Sequence, residues 1–311
     1  MPVAGRSYSE QAERFVIKDA TGNKRYLELP MHLVQIQGLA MPPLDHRAVR
    51  SPFQHGETYL GFSLRPRVVN IALHMRQCTR LELWQLRNTL ISLINPLIGT
   101  LRLRAEFRDG GIYELHDVVY DSQFDVGTDG MTGPYTQNIG ARFIAYDPVW
   151  WYYPMRQAGP SLIVLTGLVF GDVAPPSTAV FPIVFGSVYI DQSVNVVNGG
   201  NWMAFPTFTL TGPMYYPVIE NLTTGEKLQL DYSIVDGEVV TITTAFGNKT
   251  VTSNISGNLI GHLSTDSDLA TFHLDPDPLA VGGVNVLSFF GGMCDVGSGI
   301  LVQWYDRFLG L

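Results

Sequence analysis

The stretch at residues 79–96, Thr-Arg-Leu-Glu-Leu-Trp-Gln-Leu-Arg-Asn-Thr-Leu-Ile-Ser-Leu-Ile-Asn-Pro, decides the fold, because it reads as a helix in a chain whose other apolar segments read as strands. Thr79 with Glu82 three residues later is a capping-box signature for its start. Pro96 disfavours helical geometry in Asn95 and marks its end. Leu83, Leu86, Leu90, Leu93 and Leu97 recur at steps of three and four, which gives one apolar stripe and leaves Arg80, Glu82 and Arg87 for water. A core helix lying on a sheet accounts for that stripe. An added contact between subunits is the alternative use of the same helix.

Outward from the helix, residues 67–75 read as a strand running into it and residues 99–107 as a strand leaving it. Asp109-Gly110-Gly111 turns the chain into a strand at 112–120, and a last strand at 138–146 stops at Asp147-Pro148. Before the helix, residues 15–18 and 25–29 flank a turn cluster at 19–24 and predict a β-hairpin. Residues 38–58, rich in proline and polar groups, read as a long loop or arm, a length that in a compact domain calls for a function. The expected organisation is an N-terminal β-domain over 1–150, split-barrel or sandwich-like, with the arm at 38–58 and the helix at 79–95. An aromatic and proline-rich linker at 151–160 follows, then a second domain over 161–311.

In that second domain, apolar runs at 162–170, 181–190, 205–211, 216–220, 227–231, 239–244, 250–253, 269–274, 284–290 and 300–308 alternate with turn signals such as Asp236-Gly237. They predict an antiparallel β-sandwich. The fold class is therefore mainly β, with one amphipathic helix.

Charged residues make up 15% of the 311, against about 25% in an ordinary globular chain. So sparse a charged surface implies large protein contacts. Residues 1–150 carry 16 cations and 15 carboxylates, whereas residues 151–311 carry 4 and 13. The acidic second half and the lack of a basic run argue against nucleic-acid binding. Two distant cysteines, Cys78 and Cys294, fit a reducing compartment. No secretion signal and no membrane segment is read, so synthesis is expected in the cytoplasm.

No motif carries catalysis, a metal or a cofactor. Asp266-Ser267-Asp268 and Asp275-Pro276-Asp277 offer carboxylates, but their spacing is ordinary turn material and lacks the calcium-loop pattern. The seven histidines show no metal-ligand spacing, and neither a nucleophile elbow nor a phosphate loop is present. Trp202, Tyr215, Tyr216 and Trp304 are the aromatics that would serve a sugar-stacking face, with core packing as the alternative.

The loop His55-Gly56-Glu57, the strand at 67–73, the helix with Leu86-Arg87-Asn88-Thr89-Leu90 and Asn95-Pro96, the strand Leu101-Arg102-Leu103 and the closing Tyr146-Asp147-Pro148-Val149-Trp150 together resemble the distal tail proteins (Dit-like) of long-tailed bacteriophages with non-contractile tails. Residues 217–228 and 236–242 resemble the galectin-like β-sandwich of the same family. The resemblance implies a structural virion protein of the tail tip: a hexameric ring docked on the tail tube protein above and the tail-tip hub below, with a lumen through which DNA passes unbound. Tape measure or receptor-binding proteins are further implied neighbours. In such a ring the expected subunit joint is the arm and the helix, with Pro42, Pro43, Phe53, His55, Trp84, Leu86 and Leu90 as candidate contacts. The alternatives are a host-surface carbohydrate-binding module using Trp202, Tyr215 and Tyr216, a tail tube subunit, and a glycosidase built on Asp266 and Asp275. The galectin sugar-binding cluster of histidine, asparagine and arginine is not recognisable here.

Overall fold

The computed structural model describes residues 12–125, 135–159, 190–295 and 297–311. The chain divides into two compact units, Met1–Pro154 with Arg307–Leu311, and Met155–Asp306. The runs read as strands at 162–170 and 181–189 lie outside the described residues.

The first unit holds β1 (Ala12–Lys18), β2 (Lys24–Tyr26), β3 (Met31–Gln37), β4 (Leu44–Val49), β5 (Thr58–Leu64), β6 (Arg67–Arg76), α1 (Arg80–Leu93), β7 (Leu101–Phe107), β8 (Ile112–Asp125), β9 (Thr136–Ala145) and β10 (Trp150–Tyr153). Its main sheet runs β2-β1-β7-β8-β9-β6-β3, all antiparallel. Alternation decides which face is inside. On β6, Val69, Ile71, Leu73 and Met75 point into the core, and on β9 Ile139, Ala141, Phe143 and Ala145 do the same. The helix closes that core with Leu83, Leu86, Leu90 and Leu93. Its predicted cap is present: the Glu82 amide donates to Thr79 Oγ1 at 3.2 Å, and the Thr79 amide donates to Glu82 Oε2 at 3.1 Å.

The second unit holds β11 (Arg156–Ala158), β12 (Ile190–Val197), β13 (Thr207–Thr211), β14 (Met214–Asn221), β15 (Glu226–Gln229), β16 (Ser233–Ile234), β17 (Val239–Thr243), β18 (Thr250–Ser253), β19 (Gly257–Asn258), β20 (Val284–Gly292) and β21 (Gly299–Trp304). One sheet runs β11-β21-β13-β17-β18-β19 and the other β12-β20-β14-β15, with β16 beside β14. Phe208, Val240 and Val302 from the first and Ile219, Leu228 and Phe289 from the second share one core, which makes this unit an antiparallel sandwich. The last strand, β22 (Arg307–Phe308), belongs to the first unit, where it pairs with β10.

Four sequence expectations differ from the structure. The arm is a hairpin: β4 and β5 pair with each other, from Leu44 opposite Leu64 to Val49 opposite Thr58, and with no other strand among the described residues. Within the stretch at 151–160, read as an aromatic-pinned linker, the chain forms strands: β10 pairs with β8 and β22 in one unit and β11 pairs with β21 in the other. Trp150, just before the stretch, is wholly enclosed in the first core, and Trp151, Tyr152 and Tyr153 after it are half-buried. Residues 269–274 form turns and a single bridge, Leu274 opposite Ala204, in place of a strand. Residues 307–311 complete the first unit and are no part of the sandwich.

Candidate subunit interface

The arm is rooted by a buried arginine. Arg67, at the start of β6 and 1% exposed, donates from Nε to the carbonyl of Pro148 at 2.7 Å and from Nη1 to those of Gly38 at 2.7 Å and Ala40. From Nη2 it donates to the carbonyl of Leu309 at 2.5 Å. One guanidinium thus ties the root of the arm to the β9–β10 turn and to the chain end. Burial lowers its pKa to about 10, against the pull of Asp147, so it stays charged at neutral pH. Gly38 is required at that root: its φ is +91°, and a Cβ there would sit 2.0 Å from the Val68 carbonyl oxygen. The Leu311 amide adds a bond to the Leu39 carbonyl, and Pro42 is buried at the same end.

Beyond the root, the hairpin exposes an apolar surface. Phe53 at its tip is fully exposed, and Val49, Tyr59, Leu60 and Phe62 are exposed along it, with Pro43 and His55 also at the surface. A two-stranded ribbon with no core of its own is marginal in water, so apolar side chains on it favour a covering partner. Of the sequence candidates, Phe53, His55 and Pro43 are available for contact, whereas Pro42 serves the root. Val49 lies inside the stretch read as a loop, whereas Tyr59, Leu60 and Phe62 lie just beyond its end at 58, in the apolar run Tyr59-Leu60-Gly61-Phe62 to which the sequence analysis assigns no element.

The helix has two apolar faces. Leu86 and Leu90 are buried in their own unit's core and cannot form a subunit contact, because the same stripe that makes the helix amphipathic is spent on the sheet. The opposite face carries Leu81, Trp84 and Ile91, all exposed, at spacings of three and seven. Trp84 therefore remains a candidate. Leu97 does not continue the inner stripe: it sits on a short 3-10 turn at Pro96–Ile98 and is exposed.

In the sandwich, Tyr215 and Tyr216 are exposed on β14, ring centroids 4.3 Å apart and edge to face. Trp202 is half-buried in the turn before β13, and Trp304 is a core residue whose Nε1 donates to the Val197 carbonyl. The carboxylates have structural duties: Asp268 accepts from the Lys227 amide, and Asp275 lies 3.1 Å from His273 Nε2, whose other ring nitrogen lies 3.1 Å from Glu226. Asp266 sits apart in an exposed turn. Glu238 is wholly buried and takes hydrogen bonds from Tyr232, Ser253, Ser256 and the Val235 amide. Burial alone would raise its pKa, but these donors outweigh it and hold the carboxyl below its usual range. Among the described residues no group of three histidine, cysteine or carboxylate side chains converges as a metal site.

Residues 199–286, inside the sandwich, match the family model of the siphovirus-type tail component, C-terminal domain. No curated protein matches the chain by sequence. The fold is shared with the Dit protein (gp 19.1) of phage SPP1, at a TM-score of 0.60 and 13% identity over 94% of this chain and 99% of that one. A chain of the phage P2 baseplate in its activated conformation is similar at a TM-score of 0.45 and 11% identity, over 93% of this chain and 97% of that one. The chain is thus similar to the Dit-like distal tail proteins, in fold along nearly its whole length and in sequence across most of its sandwich.

Proposed function

We propose that the chain is a structural distal tail adaptor of a phage virion. Copies join through the first unit into a closed ring, expected to be a hexamer, that links the tail tube protein to the tail-tip hub and leaves a channel for DNA. The observation that carries the reading is the rooted hairpin β4–β5 with its exposed Val49, Phe53, Tyr59, Leu60 and Phe62. Closed rotational symmetry needs one patch of a subunit to meet a different patch of its neighbour, and an arm reaching out of the subunit is suited to that. The exposed face of α1, with Leu81, Trp84 and Ile91, is the second contact surface. The role is architectural and not enzymatic, and likeness to the SPP1 Dit fold supports it.

Native mass spectrometry of the full chain, paired with negative-stain imaging, tests this. The expected species is a closed ring, and replacing residues 46–62 by a short glycine-serine turn is expected to leave folded monomers. A wild-type chain that stays monomeric at high concentration even in the presence of its tail tube protein refutes the ring. The sugar-binding alternative retains the exposed Tyr215–Tyr216 pair in its favour, and a silent glycan array removes it.

A further inference from the structure

On the side of the first unit's sheet turned away from its core, the register sets three cations side by side. Lys24 on β2 is opposite Lys18 on β1, and Lys18 is opposite Arg102 on β7. Like charges directly opposed across an antiparallel pair work against the pairing. The adjacent row holds Arg104 opposite Glu114 on β8. Glu114 is 1% exposed, and its Oε2 takes both bonds from Arg104, at 3.1 and 2.9 Å. Among the described residues its buried Oε1 has no hydrogen bond and faces Lys18 Nζ at 3.6 Å and Arg102 Nη1 at 3.9 Å.

The other carboxylates nearby are committed. Glu106 pairs with Arg104 at 3.7 Å. Asp19 accepts from the Thr21 amide and hydroxyl and from the Asn23 amide and side chain, so it is spent on its own turn. Burial chiefly, with Arg104 and Arg102 adding to it and Glu114 opposing, holds the Lys18 amine below its usual pKa. A cavity of about 420 Å³ opens over this row, and its charged lining is Lys18, Lys24, Arg102 and Arg104 together with the two committed carboxylates, Asp19 and Glu106.

We propose that this cavity is an anion site that takes a phosphoryl group, held by Lys18, Lys24 and Arg102. The lysines supply compact point charges, and Arg102 supplies a planar fork that fits two oxygens of one phosphoryl group. Glu114 offsets only part of the mutual repulsion of the row, and a multiply charged oxyanion offsets more of it, so binding raises the stability of the sheet. The site is independent of ring formation and stands or falls by itself.

The test is calorimetric titration and thermal unfolding of the full chain with pyrophosphate in low-salt buffer, with chloride and succinate at matched ionic strength. Saturable binding at one site per chain is expected, with a rise in Tm that neither control reproduces. Lys24→Gln and Arg102→Gln change side chains that reach solvent. Each is expected to weaken pyrophosphate binding roughly tenfold, the loss of one charge-assisted contact. Lys24→Gln is also expected to raise Tm in anion-free buffer, because it breaks the like-charge row, whereas loss of a merely structural residue would lower it; Arg102→Gln carries no such expectation, since Arg102 also faces the buried Glu114 carboxylate. Absence of saturable binding overturns the proposal. So does an equal response to succinate, which would mark a carboxylate site, or pyrophosphate affinity unchanged in both variants.

Discussion

His116 shows how a single side chain's environment sets a pH dependence. Its ring stacks on Trp151 at 4.3 Å and 7°, and its Nε2 lies 3.3 Å from the Tyr153 hydroxyl. Burial first, then Arg102, lowers its pKa to about 4, while Glu114, Asp147 and Asp117 pull the other way. The folded chain therefore holds the ring neutral where the unfolded chain takes up a proton near 6.5, and stability contributed above that value is lost as the pH falls toward 4. Between pH 7 and pH 5 the expected loss is about 2 kcal/mol. Urea unfolding at the two pH values checks it: His116→Gln should flatten that dependence, and an undiminished slope in the variant would assign it to another group. Asp19 and Glu238, held below their usual values by hydrogen bonds, lose their contribution only at lower pH. None of this was legible in the sequence, where His116 was one of seven scattered histidines, because the stacking partner arrives on β10, a strand that sequence reading had taken for linker.

The helix was the most legible element. Its capping box, its inner stripe and its end follow from local rules, and a local rule needs only neighbours within about four residues. Leu90→Ala is expected to cost about 3 kcal/mol, the ordinary price of a cavity under a fully enclosed leucine. Trp84→Ala is expected to leave folding stability within about 0.5 kcal/mol and to weaken association of copies. Chemical unfolding read beside analytical ultracentrifugation separates the two effects, and an equal loss of stability in both variants would place Trp84 in the core and remove it from the interface. The arm was the least legible element. Pro52, Gly56 and the polar residues around them are turn formers, and they do mark a turn, but among the described residues the strands on either side pair only with each other. A ribbon whose apolar residues face outward gives no core-directed alternation to read.

The whole molecule adds a constraint that no element contains. The chain leaves the first unit at Pro154, builds the sandwich, and returns at Arg307 to supply β22 and the clamp at the arm root. Arg307, in turn, holds the Asp147 carboxylate at 2.5 and 2.6 Å. Truncation after Asp306 is therefore expected to destabilise the first unit and expose residues 38–41 to protease, while the sandwich keeps its own unfolding transition. Limited proteolysis and differential scanning calorimetry check this. A truncated chain with an unchanged first transition would mean that the returning tail adds nothing to the fold.

The sequence by itself determined what short-range chemistry determines: a mainly β chain, one capped helix with its buried stripe, most of the sandwich strands, a deficit of surface charge, and the resemblance to Dit-like tail proteins. Each of these is a matter of residue type, spacing and period within a few positions. Only the tertiary structure decided which face of each element was left over once the core was filled. It turned Leu86 and Leu90 inward and Trp84 outward, made a hairpin of the arm, brought 309 to 67, and set Lys24, Lys18 and Arg102 in one row. Those outcomes depend on pairing between residues far apart in the chain, and register between distant strands is fixed by the packing of all of them together.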